Sequence, residues 1–258
     1  MSIYTPRTIL VTGAGSGLGQ GISFCLAQLD YQLVVTDLHL DAVKETARLI
    51  EAKGGTARAF ELDVSSEESV NKFMHDNADL PPDVLINNAG LQHVARIEEF
   101  PLEKWDQLIN VMLRGAFLLS RAVLPGMRER GFGRLVHIGS IHSLIASPYK
   151  SAYTAAKHAL LGFSKVLALE TADTEITSNT ICPAYIRTPL VDAQIAGQAA
   201  TRGISAAEVI DKVMLAPMPK KAFVTIEEVV AAIDFLISPM ARNITGQTLT
   251  IDGGWTAQ

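Results

Sequence analysis

The chain has 258 residues, 48% of them hydrophobic and 19% charged, which is enough for one large α/β domain with a sizeable core. A net charge of -5 with no basic block argues against nucleic acid as a partner, and the six histidines show no metal-ligand spacing. Cys25 and Cys182 lie far apart in apolar surroundings, which suits buried thiols and not a disulfide framework.

No stretch of transmembrane length is free of charge. The longest apolar run, Val229 to Ile237, is interrupted by Asp234 and reads as a buried amphipathic helix. Folded-domain signals begin at Arg7, leaving no room for a cleaved signal peptide, so a soluble cytoplasmic protein with no membrane partner is expected.

Thr8-Ile9-Leu10-Val11 is a short apolar run ending in Thr12-Gly13-Ala14-Gly15-Ser16-Gly17-Leu18-Gly19. Strand, glycine-rich turn and helix in that order let a backbone approach a pyrophosphate, which then rests at a helix N-terminus. A helix over about Leu18 to Leu29 leads to a second strand, Gln32 to Thr36, and then Asp37. An acidic residue there can accept hydrogen bonds from a ribose 2′-hydroxyl and repels a 2′-phosphate. No arginine follows at once, so NAD is favoured over NADP; the plainer role for Asp37 is a cap on the next helix.

A polar helix near Asp41 to Ala52 is broken by Gly54-Gly55. Thr56 to Leu62 alternates and reads as a third strand ending at Asp63-Val64, and Ser65-Ser66-Glu67-Glu68-Ser69 reads as a helix start. A fourth strand, Asp83 to Ile86, runs into Asn87-Asn88-Ala89-Gly90, whose asparagines can tie neighbouring strands and line a cleft. Trp105 to about Arg130 reads as one long helix, stopped by Gly131-Phe132-Gly133.

The fifth strand, Leu135 to Ile138, leads to Ser140, and the segment that follows carries Tyr153 and Lys157. Four residues apart on a helix, those two side chains share a face. An ammonium beside a phenol lowers the tyrosine pKa from about 10 and fits it to pass a proton at neutral pH. By itself such a pair is commoner as a surface pair than as a catalytic one. A sixth strand, Ile176 to Ile181, precedes Cys182-Pro183-Ala184-Tyr185-Ile186-Arg187-Thr188-Pro189. From Leu190 to Pro219 the small residues, glycines and prolines suggest one or two helices forming a lid. A helix near Ile226 to Leu236 and a strand, Thr248 to Ile251, close the chain. Strands alternating with helices imply a doubly wound, mostly parallel sheet of Rossmann type, in one domain over residues 1–258 with a lid at about 190–219.

The order and spacing of Thr12-Gly13-x3-Gly17-x-Gly19, Asn87-Asn88-Ala89-Gly90, Ser140, Tyr153-x3-Lys157 and Pro183 resemble the short-chain dehydrogenase/reductase family over essentially the whole chain. The resemblance implies NAD held at Gly13, Ser16, Gly17, Leu18, Gly19 and Asp37. It adds Asp63, Val64, Asn88, Ala89 and Gly90, then Tyr153, Lys157, Pro183, Ile186 and Thr188. Ser140, Tyr153 and Lys157 are then the catalytic residues.

Within the family, Ala146 to His158 looks like the signature of members that oxidise a short 3-hydroxy acid. Gln92, His142, Lys150, Gln194 and Trp255 match positions lining their substrate pocket, beside Ser140 and Tyr153. Lys150, three residues before Tyr153, supplies a point charge for a carboxylate from a similar helix face, and Gln92, His142 and Gln194 offer donors. The bland readings are a solvated lysine, a loop histidine and a packed tryptophan. A homotetramer is also implied by the resemblance. Two alternatives remain: another reductase of the family acting on 3-oxoacyl thioesters, or an impaired NAD-binding protein.

Two departures stand out. Ala184-Tyr185 replaces the usual Gly-Trp, and Met112 stands where the family has a fourth catalytic asparagine. Asn110, two residues away, should point about 200° around the helix and cannot substitute.

Overall fold

The computed structural model describes residues 7–257, except the side chains of Pro189, Leu190, Ala193, Gln194, Gln198, Thr201 and Arg202. Seven parallel strands form one sheet: β1 (Thr8–Thr12), β2 (Gln32–Asp37), β3 (Thr56–Glu61), β4 (Val84–Asn87), β5 (Gly133–Ile138), β6 (Ile176–Pro183) and β7 (Thr248–Ile251). Their order is β3-β2-β1-β4-β5-β6-β7. The central strands read as near-continuous apolar runs because helices cover both faces. All four residues of β4, all six of β5 and all eight of β6 are buried.

Along β1 the side chains alternate between two cores. Ile9 and Val11 pack with Ile22 and Leu26 of α1 (Gly17–Ala27) and with Val229 and Ile233 of the helix Ile226–Ile237. Leu10 points the other way, towards Val70 and Phe73 of a helix over Glu67–Asp76 and towards Leu118, Leu119 and Val123. Strand order reverses between β1 and β4, and the crevice beyond the strand ends at that point is where an open α/β sheet takes a ligand.

The expected long helix is continuous from Leu102 to Arg130 but not uniform. Two α-helical stretches, Leu102–Ile109 and Gly115–Arg130, flank a π turn at Asn110–Arg114, where the Gly115 N–H donates to the Asn110 carbonyl. It stops at Gly131, whose φ of 68° is left-handed. By length and composition this 29-residue helix could cross a membrane. Here its apolar side, Leu118, Leu119, Val123 and Met127, is core packing against the sheet.

The sixth strand runs two residues past its expected end because Cys182 and Pro183 pair with Thr250 and Ile251. The segment proposed as a lid is helical over Pro189–Arg202 and Ala206–Val209, with a second π turn at Ile210–Met214. It carries a cluster of its own, Val191, Ile195, Val209 and Met214.

Candidate active site

The turn after β1 is held by close backbone approach. A Cβ on Gly19 would lie 2.2 Å from the Gly13 carbonyl oxygen, and one on Gly13 would lie 2.8 Å from the Ala89 Cα. The Asn88 amide donates to the carbonyls of Thr12 (2.8 Å) and Gly13 (3.2 Å), and Thr12 Oγ1 accepts from the N–H groups of Asn88 and Ala89, each at 3.0 Å. These bonds lock the first turn to the end of β4. Gly13 and Gly17 have φ of 62° and 54°, which a side chain would strain.

The N-terminus of α1 is left open. Ser16 makes no side-chain cap, and no acidic residue stands in the first turn. Unsatisfied N–H groups and the positive end of the helix dipole therefore face the cleft, a fitting seat for a pyrophosphate. At the end of β2, Asp37 accepts from the N–H groups of Gly15 and His39, each at 3.1 Å. These bonds fix its carboxylate in the wall of the cleft.

That cleft has a volume of about 490 Å³. Of the cofactor positions inferred from sequence, Gly13, Ser16, Gly17, Leu18, Gly19 and Asp37 line it. So do Asn88, Gly90, Tyr153, Lys157, Pro183, Ile186 and Thr188. Three do not. Ala89 and Val64 border a separate small cavity, and Asp63 Oδ1 is taken up by the Ser65 N–H (2.9 Å) and hydroxyl (2.6 Å) in a local turn.

Ser140 follows β5, and Tyr153 and Lys157 stand on α6 (Ser151–Glu170), as the sequence implies. The Ser140 hydroxyl accepts from the His142 N–H at 3.1 Å and hydrogen-bonds Tyr153. The electrostatics differ from the expected ones. Lys157 Nζ donates to the Ile138 carbonyl at 2.6 Å and lies 5.7 Å from the centre of the Tyr153 ring. Burial pushes the Tyr153 phenol above its ordinary value, and the opposing pull comes from Ser140 rather than from Lys157. Burial brings Lys157 itself down to about 8.

The far end of the cleft holds the predicted substrate side chains. Lys150 is not in the helix: it is the N-cap of α6, with φ -116° and ψ 37°. From there its Nζ reaches His142 Nε2 at 3.3 Å and sits 5.6 Å from the centre of the Tyr185 ring. Burial lowers the Lys150 pKa, and burial together with the Lys150 charge brings His142 down to about 4. Gln92 also lines the cleft, whereas Trp255 stands behind it, 5.9 Å from the Tyr185 ring and 6.4 Å from His142. The Gln194 side chain lies outside the described residues.

Met112 is 2% exposed and packs with Leu108, Ala152, Ala156 and Tyr153. It borders a cavity of about 10 Å³ shared with Thr12, Asn87 and Lys157, which is close to the room one water needs. Asn110 is exposed on the other side of the helix, in agreement with the angular argument. Beside this cavity the structure shows a buried chain that the sequence reading did not single out. Asn87 Nδ2 meets His137 Nδ1 at 3.1 Å, and His137 Nε2 meets Ser178 Oγ at 3.2 Å. The available signal was a histidine inside an otherwise apolar strand.

An open helix terminus at the switch point, an acidic residue ending β2 and a serine–tyrosine–lysine set in one cleft define an oxidoreductase-type dinucleotide fold of the doubly wound class. Comparison with known proteins narrows this. Residues 13–256 match a family model described as enoyl-(acyl carrier protein) reductase. The D-beta-hydroxybutyrate dehydrogenase of Rhizobium meliloti (strain 1021) is 41% identical over 256 residues, covering 98% of this chain and 99% of that protein. The enzyme of the same name from Cupriavidus necator is 41% identical over 255 residues, covering 98% of each. A crystal structure of the actinorhodin polyketide ketoreductase with NADPH superimposes with a TM-score of 0.93 at 30% identity, covering 100% of both chains. The chain belongs to the short-chain dehydrogenase/reductase family, whose Rossmann fold binds a nicotinamide cofactor.

Proposed function

We propose that the protein is an NAD-dependent dehydrogenase that interconverts D-3-hydroxybutyrate and acetoacetate. The observation that carries this reading is Lys150. Its ammonium is largely buried at the end of the catalytic cleft, and among the described residues no carboxylate pairs with it. A buried cation held only by an imidazole and an aromatic ring is incomplete without an anion. A small carboxylic acid supplies one, and Lys150 and Tyr153 line the same cleft. The 41% identity to two proteins named for this activity supports the same reading.

The open N-terminus of α1, the glycine cradle and Asp37 would hold the dinucleotide. When bound, it supplies the hydride acceptor for alcohol oxidation and the donor for the reverse reaction. Ser140 holds the reacting oxygen. The Tyr153 phenolate takes the hydroxyl proton during oxidation, and the phenol returns it during reduction. Lys157 would hold the nicotinamide ribose. Lys150 and His142 orient the carboxylate at the far end of the cleft, which leaves the hydroxyl end of the acid to Ser140 and Tyr153.

The testing experiment is an NADH absorbance assay with D- and L-3-hydroxybutyrate against NAD and NADP. Turnover of the D acid with NAD is expected; a thioester-only or NADP-only activity would overturn the reading. The NADPH in the ketoreductase structure is the observation that favours an NADP-linked reductase of the family instead. Asp37 supports the NAD arm, because its carboxylate repels a 2′-phosphate. Asp37→Ala should raise KM for NAD and narrow the gap to NADP; a wild-type protein that already prefers NADP removes the role given to Asp37.

Met112 bears on rate. The thioether is a weak acceptor and no donor, and it borders the cavity behind Lys157 where a relay water would stand. Met112→Asn should raise kcat with little change in the dissociation constant for NADH. An unchanged or lower kcat would mean that protons leave Lys157 by another route.

A further inference from the structure

The loop that presents Ser140 is tied down from behind. Ser140 opens a short turn over Ile141–Ser143, and the two serines cap it reciprocally: Ser140 Oγ accepts the His142 N–H, and Ser143 Oγ accepts the Ser140 N–H at 3.1 Å. Ser143 is 1% exposed and Cys182, on the neighbouring strand, is 0% exposed. Both side-chain ends converge on Gly139. A Cβ there would lie 2.8 Å from Cys182 Sγ and 2.9 Å from Ser143 Oγ. Ser143 Oγ and the Ser140 N–H are the polar groups nearest the sulfur in their effect on its thiol, which they stabilise as the thiolate. The Ser143 oxygen receives one hydrogen bond from the Ser140 backbone, which leaves its own proton to turn towards the sulfur. Gly139 N–H is at the same time fixed to the Ile181 carbonyl at 2.8 Å.

We propose that Ser143, anchored to Cys182 of β6, is a positioning residue that sets the Ser140 hydroxyl against Tyr153. This rests on the catalytic roles given above to Ser140 and Tyr153. A serine hydroxyl has free rotation about one bond, and its aim depends on where its own backbone is held. Here that backbone is pinned by the Ser143 oxygen, with β6 as the rigid support. The arrangement lets Ser140 offer its proton to Tyr153 while its lone pair is occupied by His142 N–H. Without Ser143, the Ser140 N–H loses a partner in a site closed to water and the turn is free to shift. A displacement near 1 Å at a reacting group costs on the order of a hundredfold in rate, so partial loosening should cost about tenfold.

The test compares Ser143→Ala, Cys182→Ala, the double variant and Cys182→Ser, each with two readouts. In turnover, Ser143→Ala should lower kcat about tenfold with the NADH dissociation constant unchanged. The double variant should be no slower than the worse single variant, because both act through one contact. Cys182→Ser keeps an acceptor for the Ser143 hydroxyl and should retain most of the rate that Cys182→Ala loses. In the second readout, NMR titration of isotope-labelled tyrosine, assigned with Tyr153→Phe, should show Tyr153 moving to higher pKa in Ser143→Ala. That follows because the bond from Ser140 opposes the effect of burial. Unchanged kcat and unchanged Tyr153 titration in Ser143→Ala would overturn the proposal, as would equal behaviour of the two Cys182 variants. If the unmodified protein does not oxidise 3-hydroxybutyrate, the substrate reading fails, and the tyrosine titration still decides the role of Ser143.

Discussion

Tyr153→Phe should abolish turnover while leaving NADH binding largely intact. The ring of Tyr153 packs against Met112 on one side, and His142 lies edge-on to it at 6.1 Å; the substitution keeps those contacts. What is lost is the hydroxyl that meets Ser140 and exchanges the substrate proton. General acid–base catalysis contributes typically a hundredfold to ten-thousandfold, and among the described residues no other titratable side chain hydrogen-bonds the Ser140 hydroxyl. His142 is the nearest candidate, but at about 4 it is neutral in the working range, and its Nε2 already faces Lys150. Retention of more than about a tenth of the wild-type rate would remove Tyr153 as the acid/base, since that is less than the smallest loss expected.

The pH dependence of the same group has a definite sign. Burial raises the Tyr153 pKa, so the phenolate needed for oxidation is scarce at neutral pH and its share grows as pH rises. Oxidation should therefore accelerate into the alkaline range, and reduction should be favoured towards neutral pH, where the phenol can give its proton. An oxidation rate that does not rise above neutral pH would contradict this assignment of the titrating group to Tyr153.

The alternation of strands and helices, the glycine turn and the placement of Ser140, Tyr153 and Lys157 were legible because they depend on local pattern. An apolar run followed by glycines behaves the same way wherever it is found, and a four-residue spacing on a helix fixes a common face. The angular separation of Asn110 and Met112 was readable for the same reason, although the π turn between the two halves of that helix was not. A π turn follows from how the helix is packed and not from propensity. Lys157 was misjudged because its sequence spacing to Tyr153 gives the face and not the hydrogen-bond partner. The ammonium turns to the Ile138 carbonyl, an atom of a strand nineteen residues upstream. Lys150 was placed inside the helix by counting back from Tyr153, but the chain has already left helical geometry there. Asp63 matched a family position, and spacing alone did not show that its Oδ1 is engaged by Ser65, two residues on. Trp255 was expected to line the pocket; its ring instead neighbours those of Tyr185 and His142, which line the cleft themselves. The tie between Ser143 and Cys182 joins two strands' ends and has no signature in either segment alone.

Lys150→Ala should lower kcat/KM for the acid by about tenfold to a hundredfold, from a charge-assisted hydrogen bond worth roughly 1.5–3 kcal/mol. The position of the side chain makes the loss specific. As an N-cap, Lys150 sends its stem away from the helix, towards His142 and the Tyr185 ring; its side chain makes no cap bond, and its carbonyl, which alanine keeps, accepts the Thr154 N–H at 2.8 Å. Removing it should leave the fold and the Ser140–Tyr153 pair in place. Burial holds the Lys150 pKa below its ordinary value in the free protein, and a bound carboxylate would pull it back up. Binding of the acid should accordingly weaken as pH rises through the free-protein value, and the Ala variant should lose that dependence. A methyl ester of the same acid carries no charge, so its kcat/KM should change much less on the same substitution, provided the ester is turned over at all. Arginine is not an equivalent replacement, because its planar fork presents its donors in a different geometry from the point charge of an ammonium. An equal loss on acid and ester, or an acid KM with the same pH dependence in both proteins, would show that Lys150 does not read the carboxylate.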